Sequence, residues 1–238
     1  MLLFYIRHGD PIYNPDQLTP LGERQAESVA KRLALFGIDK IYSSPSLRAM
    51  QTARPTSELV QKEIVPLDWA NESHAYGDMG LKTFPKSTWP YQNDETRRRF
   101  NLPEVRALGD LWYTHPLFEG ETFENGVTRM KREADAFLAS LGYEYDAGAN
   151  GYRAVAPTDE RVALFAHEGA GMLFMSTILD IPYNHYCTHF AMCHSSMTVI
   201  EFRGKEGDPV FPTVLELSND GHLYRDGLPL AYNRGIRF

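Results

Sequence analysis

Residues 2–6, Leu-Leu-Phe-Tyr-Ile, form an unbroken apolar run that stops at Arg7-His8-Gly9. A run without polar alternation suits a strand buried on both faces, as in a parallel sheet covered by helices. The pattern returns at residues 162–166, Val-Ala-Leu-Phe-Ala, which stop at His167. In an open α/β sheet, ligands bind outside the carboxyl ends of the strands, so the side chains after Ile6 and Ala166 can face one crevice despite their distance in sequence.

The intervening chain fits that sheet. From Pro20 the pattern turns helical, with Thr19 as N-cap, Pro20 in the first position, apolar residues at Leu21, Ala26, Val29, Ala30 and Leu33, and Gly37 as a stop. Residues 40–43 read as a strand, and 46–61 as a helix that Pro55 should kink or break. A third strand is expected near 64–67. This alternation predicts a layered α/β fold, a sheet of mostly parallel strands flanked by helices. Residues 69–120, rich in Pro, aromatic and charged side chains, break the rhythm. They read as an inserted cap within a single domain spanning 1–238. Beyond them, 121–141 reads as helix, 143–155 as a hairpin centred on a primed Asn150-Gly151 turn, 172–179 as helix, and 197–202 and 210–217 as strands.

A formal charge of −7 argues against a nucleic-acid or anionic-membrane binder, so an anionic ligand must meet a local basic pocket. The apolar start ends too soon for a secretory segment or a membrane span. Two cysteines, Cys187 and Cys193, are too few for a disulfide framework and suit a reducing compartment, and the expected location is cytoplasmic.

Arg7-His8-Gly9 combines a planar cation, an imidazole and a residue permitting close backbone approach. Arginine grips phosphoryl oxygens in a fork, while a neutral imidazole can attack phosphorus and leave again. Residues 3–9, then Leu18-Thr19-Pro20-Leu21-Gly22-Glu23-Arg24-Gln25-Ala26, then residues 41–53 with Ser43-Ser44-Pro45-Ser46-Leu47-Arg48, stand in the order and register of a known family. Together with Leu164-Phe165-Ala166-His167, Gly120-Glu121-Thr122 and the closing strand from Ser195, they resemble the histidine phosphatase superfamily, the phosphoglycerate mutase-like group.

The resemblance implies a nucleophile at His8 that becomes a phosphohistidine. Arg7, Arg48 and His167 would grip the same phosphoryl oxygens, with Asn14 as a further phosphate contact. Such positioned donors stabilise charge spread over the transferring group. Residues 71–77 resemble the segment carrying the family's general acid, which places Glu72 in that role, with Asp78 and His74 as alternatives. One departure is Glu168, which stands directly after His167 where the family has glycine, with Gly169 one later. Another is His194, where an asparagine is common.

The implied substrate is a small phosphorylated molecule, with no cofactor and no metal. His185, Cys187, His189, Cys193 and His194 crowd one segment but lack a metal-ligand spacing. The expected reaction is hydrolysis of a phosphomonoester, because only Pro15, Asp16 and Gln17 separate Asn14 from Leu18, where mutases carry a longer stretch. Mutase-type phosphoryl transfer is the alternative, supported by residues 71–77 and by Arg97-Arg98-Arg99, which in a cap can hold a second anionic group. A non-catalytic binding protein of the same fold is a third reading, disfavoured because the main site positions are all filled.

Overall fold

Alternation along the first strand sorts the two faces of the sheet, Leu3 and Tyr5 joining one apolar cluster and Phe4 and Ile6 another. The structure, a computed structural model, describes residues 1–83, 86 and 88–233. Its central sheet has six strands in the order Thr213–Asn219, Met197–Glu201, Leu2–Arg7, Arg161–Ala166, Lys40–Ser43 and Ile64–Pro66. The last four run parallel. Met197–Glu201 is antiparallel to Leu2–Arg7, and Thr213–Asn219 is antiparallel to Met197–Glu201. This is the expected α/β architecture of a mostly parallel sheet flanked by helices.

Register then places the two histidines. Arg7 pairs with Ala166, and the His8 N–H donates to the Ala166 carbonyl at 2.9 Å, so His8 and His167 leave the sheet side by side. Thr19 caps the helix Pro20–Phe36, its hydroxyl accepting from the Gly22 N–H at 3.0 Å, and Gly37 ends it at φ 75°. Gly22 permits a close approach: a Cβ there would lie 2.2 Å from the Asp10 carbonyl oxygen. That contact presses the helix start against the loop carrying His8.

Several local expectations are refined or corrected. The helix Leu47–Val60 runs through Pro55 without a break, its buried Ala49, Thr52, Ala53 and Thr56 keeping one side seated. Tyr143–Asp146 and Gly151–Ala154 do pair, but Gly151 stands opposite Asp146, so a four-residue connection replaces the two-residue turn. The Asp146 carboxylate accepts from the Gly148 N–H at 3.0 Å, which organises this longer loop. The helix after His167 begins at Glu168 rather than Met172. Its first turn, Gly-Ala-Gly after Glu168, carries no apolar period, because close packing there requires small residues.

The expected late strand at 210–217 divides: Pro209–Val210 joins a small sheet with Gly151–Ala154, and Thr213–Asn219 edges the main one. The described residues of the insert 69–120 include short helices, and the Phe100 and Trp112 rings lie 5.1 Å apart. Trp112 also meets Phe123 and Tyr183, making this core continuous with that of the helices Phe123–Ser140 and Tyr183–His189. Among the described residues, no helix is long and apolar enough to cross a membrane.

Candidate active site

His8 is 2% exposed, with its Nδ1 2.7 Å from the Gly9 carbonyl oxygen. That oxygen only accepts, so Nδ1 carries the ring proton and Nε2 presents its lone pair. Burial, reinforced by His167, Arg7 and Arg48, pushes the imidazole well below its ordinary value and keeps it neutral. Thr52 steadies the turn, accepting from the Gly9 N–H at 3.0 Å and donating to the Arg48 carbonyl at 2.7 Å.

The two arginines differ in what holds them. Arg7 is buried, with Nη1 on the Met192 carbonyl and 3.1 Å from Glu168 Oε2, while its Nε and Nη2 meet no acceptor among the described residues. Arg48 donates through Nη1 to Asp16 Oδ1 at 2.6 Å and through Nη2 to His167 Nδ1 at 3.0 Å, and its Nε is likewise unmet. Asp16 also accepts from the Leu47 N–H, and the Tyr13 ring lies 5.3 Å from the Arg48 guanidinium carbon. Buried guanidinium donors without acceptors beside a lone-pair nitrogen suit an oxyanion.

His167 is fully buried, and because an arginine only donates, its Nδ1 accepts and its Nε2 carries the proton, 2.8 Å from Ser44 Oγ. Burial and then the Arg48 and Arg7 charges push its pKa far down. Tyr5 Oη donates to its carbonyl at 2.7 Å, fixing the backbone. The ring lies 5.2 Å centroid to centroid from His8.

Glu72 opens the helix Glu72–Met79, and its carboxylate accepts from the Gly169 and Ala170 N–H groups at 3.1 and 2.8 Å. Burial raises its pKa despite those two bonds and the two arginine charges, which lower it. Gly169 is what admits this packing: a Cβ there would lie 2.3 Å from the Trp89 ring and 2.9 Å from Glu72 Oε1. The glycine missing directly after His167 is thus supplied one residue later.

Arg7, His8, Arg48 and Glu72 line one cleft of about 330 Å³, together with Tyr13, Trp89, Gln92, Glu168 and Asn233. His167 is not among the lining residues and is joined to the cleft through its hydrogen bond with Arg48. Asn14 stands exposed between the strands Pro11–Tyr13 and Asp16–Leu18 and is not among the lining residues; its neighbours Tyr13 and Asp16 make the contacts with Arg48. His74 pairs with Asp68, and Asp78 with Arg129, both away from the cleft. The Arg97–Arg99 run also turns elsewhere, to Asp94, Glu95 and the Thr188 carbonyl.

His194 now has surroundings: its ring stacks 5.7 Å from His8, and its Nε2 lies 3.0 Å from Asn233 Oδ1, while the Asn233 amide donates to Tyr13 Oη at 2.9 Å. Gln92 and Asn233 carried no sequence signal, since they reach the cleft from distant segments. Ser44 lies inside the block around Arg48, which is the one hint it had. Cys187 and Cys193 are buried and outside any disulfide, and among the described residues no three His, Cys, Asp or Glu side chains gather as a metal site.

The family profile described as histidine phosphatase superfamily (branch 1) matches residues 3–212. A probable phosphoglycerate mutase of Yersinia enterocolitica is 26% identical over 191 residues, covering 76% of this chain and 75% of its own. Among solved structures, a mycobacterial glucosyl-3-phosphoglycerate phosphatase aligns with TM-score 0.60 at 20% identity, over 92% of this chain and 99% of that one. A phosphoserine phosphatase of Entamoeba histolytica aligns with TM-score 0.56 at 18% identity, over 93% and 98%. At these identities the two structures speak for the shared fold.

Proposed function

Because this chain belongs to the histidine phosphatase superfamily, we propose that it is a phosphatase that hydrolyses a small phosphomonoester through a phosphohistidine on His8. The observation that carries this reading is the neutral His8, its Nε2 lone pair buried beside unmet donors of Arg7 and Arg48 in a cleft shared with Glu72. As the His8 Nε2–phosphorus bond forms, the ester P–O bond breaks and Glu72 gives its carboxyl proton to the departing alkoxide. The Glu72 carboxylate then takes a proton from water, which attacks phosphorus. The N–P bond breaks, releasing inorganic phosphate and neutral His8.

Arg7 and Arg48 hold the oxygens as charge redistributes among them, with His167 acting through its bond to Arg48; Asn14, exposed beside Tyr13, is the proposed further contact. Two observations favour water over a second phosphorylated acceptor. Residues 97–99 are engaged outside the cleft, and Arg7 and Arg48 are the arginines lining it among the described residues. Mutase-type transfer is the second reading, favoured by the Yersinia relative's description. The proposed setting is the cytoplasm, without nucleic-acid or membrane partners.

The test is a rapid quench with radiolabelled aryl phosphate. Label that is acid-labile and alkali-stable is expected on the protein, and none on His8→Ala. Undiminished labelling or turnover in that variant overturns the mechanism.

A further inference from the structure

Both arginines of the cleft are already ion-paired. Arg7 Nη1 lies 3.1 Å from Glu168 Oε2, with both side chains buried at 0% and 2% exposure, and Arg48 Nη1 lies 2.6 Å from Asp16 Oδ1. With Glu72 protonated, the phosphoryl cradle therefore has no net charge, an unusual provision for a dianion. Arg7 Nε and Nη2 and Arg48 Nε still meet no acceptor among the described residues, so hydrogen bonding to a phosphoryl group is intact. What is missing is surplus positive charge for a second anionic group on the same substrate.

Glu168 adds a second, independent observation. Oε1 accepts from the Met192 N–H at 3.3 Å, but Oε2 accepts no aligned hydrogen bond among the described residues, although it is buried and its side chain lines the cleft. Arg7 Nη1 faces Oε2 at 3.1 Å without an aligned hydrogen bond, so the oxygen keeps capacity to accept one from a ligand N–H. Tyr13, whose ring already receives the Arg48 guanidinium, and Trp89 line the same cleft, an aromatic lining compatible with an organic cation.

We infer that Glu168 is a specificity-determining residue that makes the cleft select phosphomonoesters whose alcohol carries an ammonium group. With phosphoryl oxygens on Arg7, an ammonium two carbons from the ester oxygen is within reach of a carboxylate only 3.1 Å from that guanidinium. A substrate with a carboxylate at the same place meets the Glu168 carboxylate instead and is repelled. The inference rests on the phosphatase reading for its reaction, but it concerns binding and is tested as binding.

Phosphonates separate the two, because they have no leaving group. In the intact protein, 3-aminopropylphosphonate, butylphosphonate and 3-phosphonopropionate are compared by isothermal titration and as competitive inhibitors of aryl phosphate turnover. The ammonium ligand should bind about ten-fold more tightly than the neutral one, and the carboxylate ligand more weakly still. Glu168→Gln should erase the ammonium preference and tighten inorganic phosphate, since Arg7 is no longer neutralised; a merely structural role for Glu168 predicts weaker phosphate. Equal affinities for the three ligands in the unaltered protein, or an unchanged ranking in a folded Glu168→Gln, overturns the inference. Absence of aryl phosphate turnover with the ranking intact would instead overturn the phosphatase reading alone.

Discussion

Arg48 Nη2 donates to His167 Nδ1 across 3.0 Å, and this bond determines which nitrogen of His167 holds the proton. The same guanidinium is braced by Asp16, so one side chain joins the second histidine to the hairpin at the cleft rim.

Arg48→Ala should lower kcat/KM by about 100- to 1000-fold, the loss of about 2.7–4 kcal/mol seen when one transition-state donor is removed. Removing the cation and the donated bond should also raise the His167 pKa, which Arg48 holds down alongside burial. NMR titration of the His167 ring checks the second effect. Near-normal kinetics would assign Arg48 to structure alone.

Glu72→Gln should separate substrates by leaving group. Turnover of alkyl phosphates, whose alkoxides need a proton, should fall by about 100-fold or more. An aryl phosphate should still phosphorylate His8, giving a burst followed by slow hydrolysis as water loses its base. Stopped-flow release of the phenol reads both phases, and equal small losses without a burst would exclude Glu72 as the acid.

Gly169→Ala should copy much of that defect without touching a titratable group, because its Cβ would collide with the Trp89 ring and crowd Glu72 Oε1. A displaced acid predicts a loss of about 100-fold on alkyl phosphates. The aryl substrate should suffer less, with circular dichroism unchanged. Equal damage to both substrates would mean that the whole cleft moves.

Stability should fall as the solution is acidified below the ordinary histidine value. His222 is buried, with Nε2 2.9 Å from the Ser195 carbonyl oxygen, and burial pushes its pKa down from 6.5 to about 4. Between these values the unfolded chain binds the extra proton, so stability is complete above about pH 6.5 and is lost as pH falls toward 4. His8 and His167, also held low, act in the same direction. Urea unfolding across this range should show the decline, and His222→Gln should remove up to about 3 kcal/mol of it. A flat profile in the unaltered protein would contradict the burial of these rings as neutral groups.

Legibility in the sequence followed the range of the physics. Residues 2–6 and 162–166 announce doubly buried strands through their composition, and Thr19-Pro20 announces a helix start through local hydrogen bonding. Arg7, His8, Arg48 and Glu72 were legible because each lies in a local block whose residue types already suit phosphoryl chemistry, and the fold brings all four to one cleft. The primed turn at Asn150-Gly151 was misread because the Asp146 side chain organises a longer loop.

Strand order, the cleft's outer lining and the partners of each charge belong to the tertiary structure. Trp89 and Gln92 arrive from the insert and Asn233 from near the end of the chain, and no local pattern encodes such a meeting. The amino-acid sequence by itself determined where the reactive groups stand along the chain, since apolar period and capping act over a few residues. Only packing decided that Glu168 would neutralise Arg7, that His167 would be protonated on Nε2, and that Gly169 would admit Glu72, because hydrogen bonding, ion pairing and desolvation depend on groups brought within about 3 Å from remote segments.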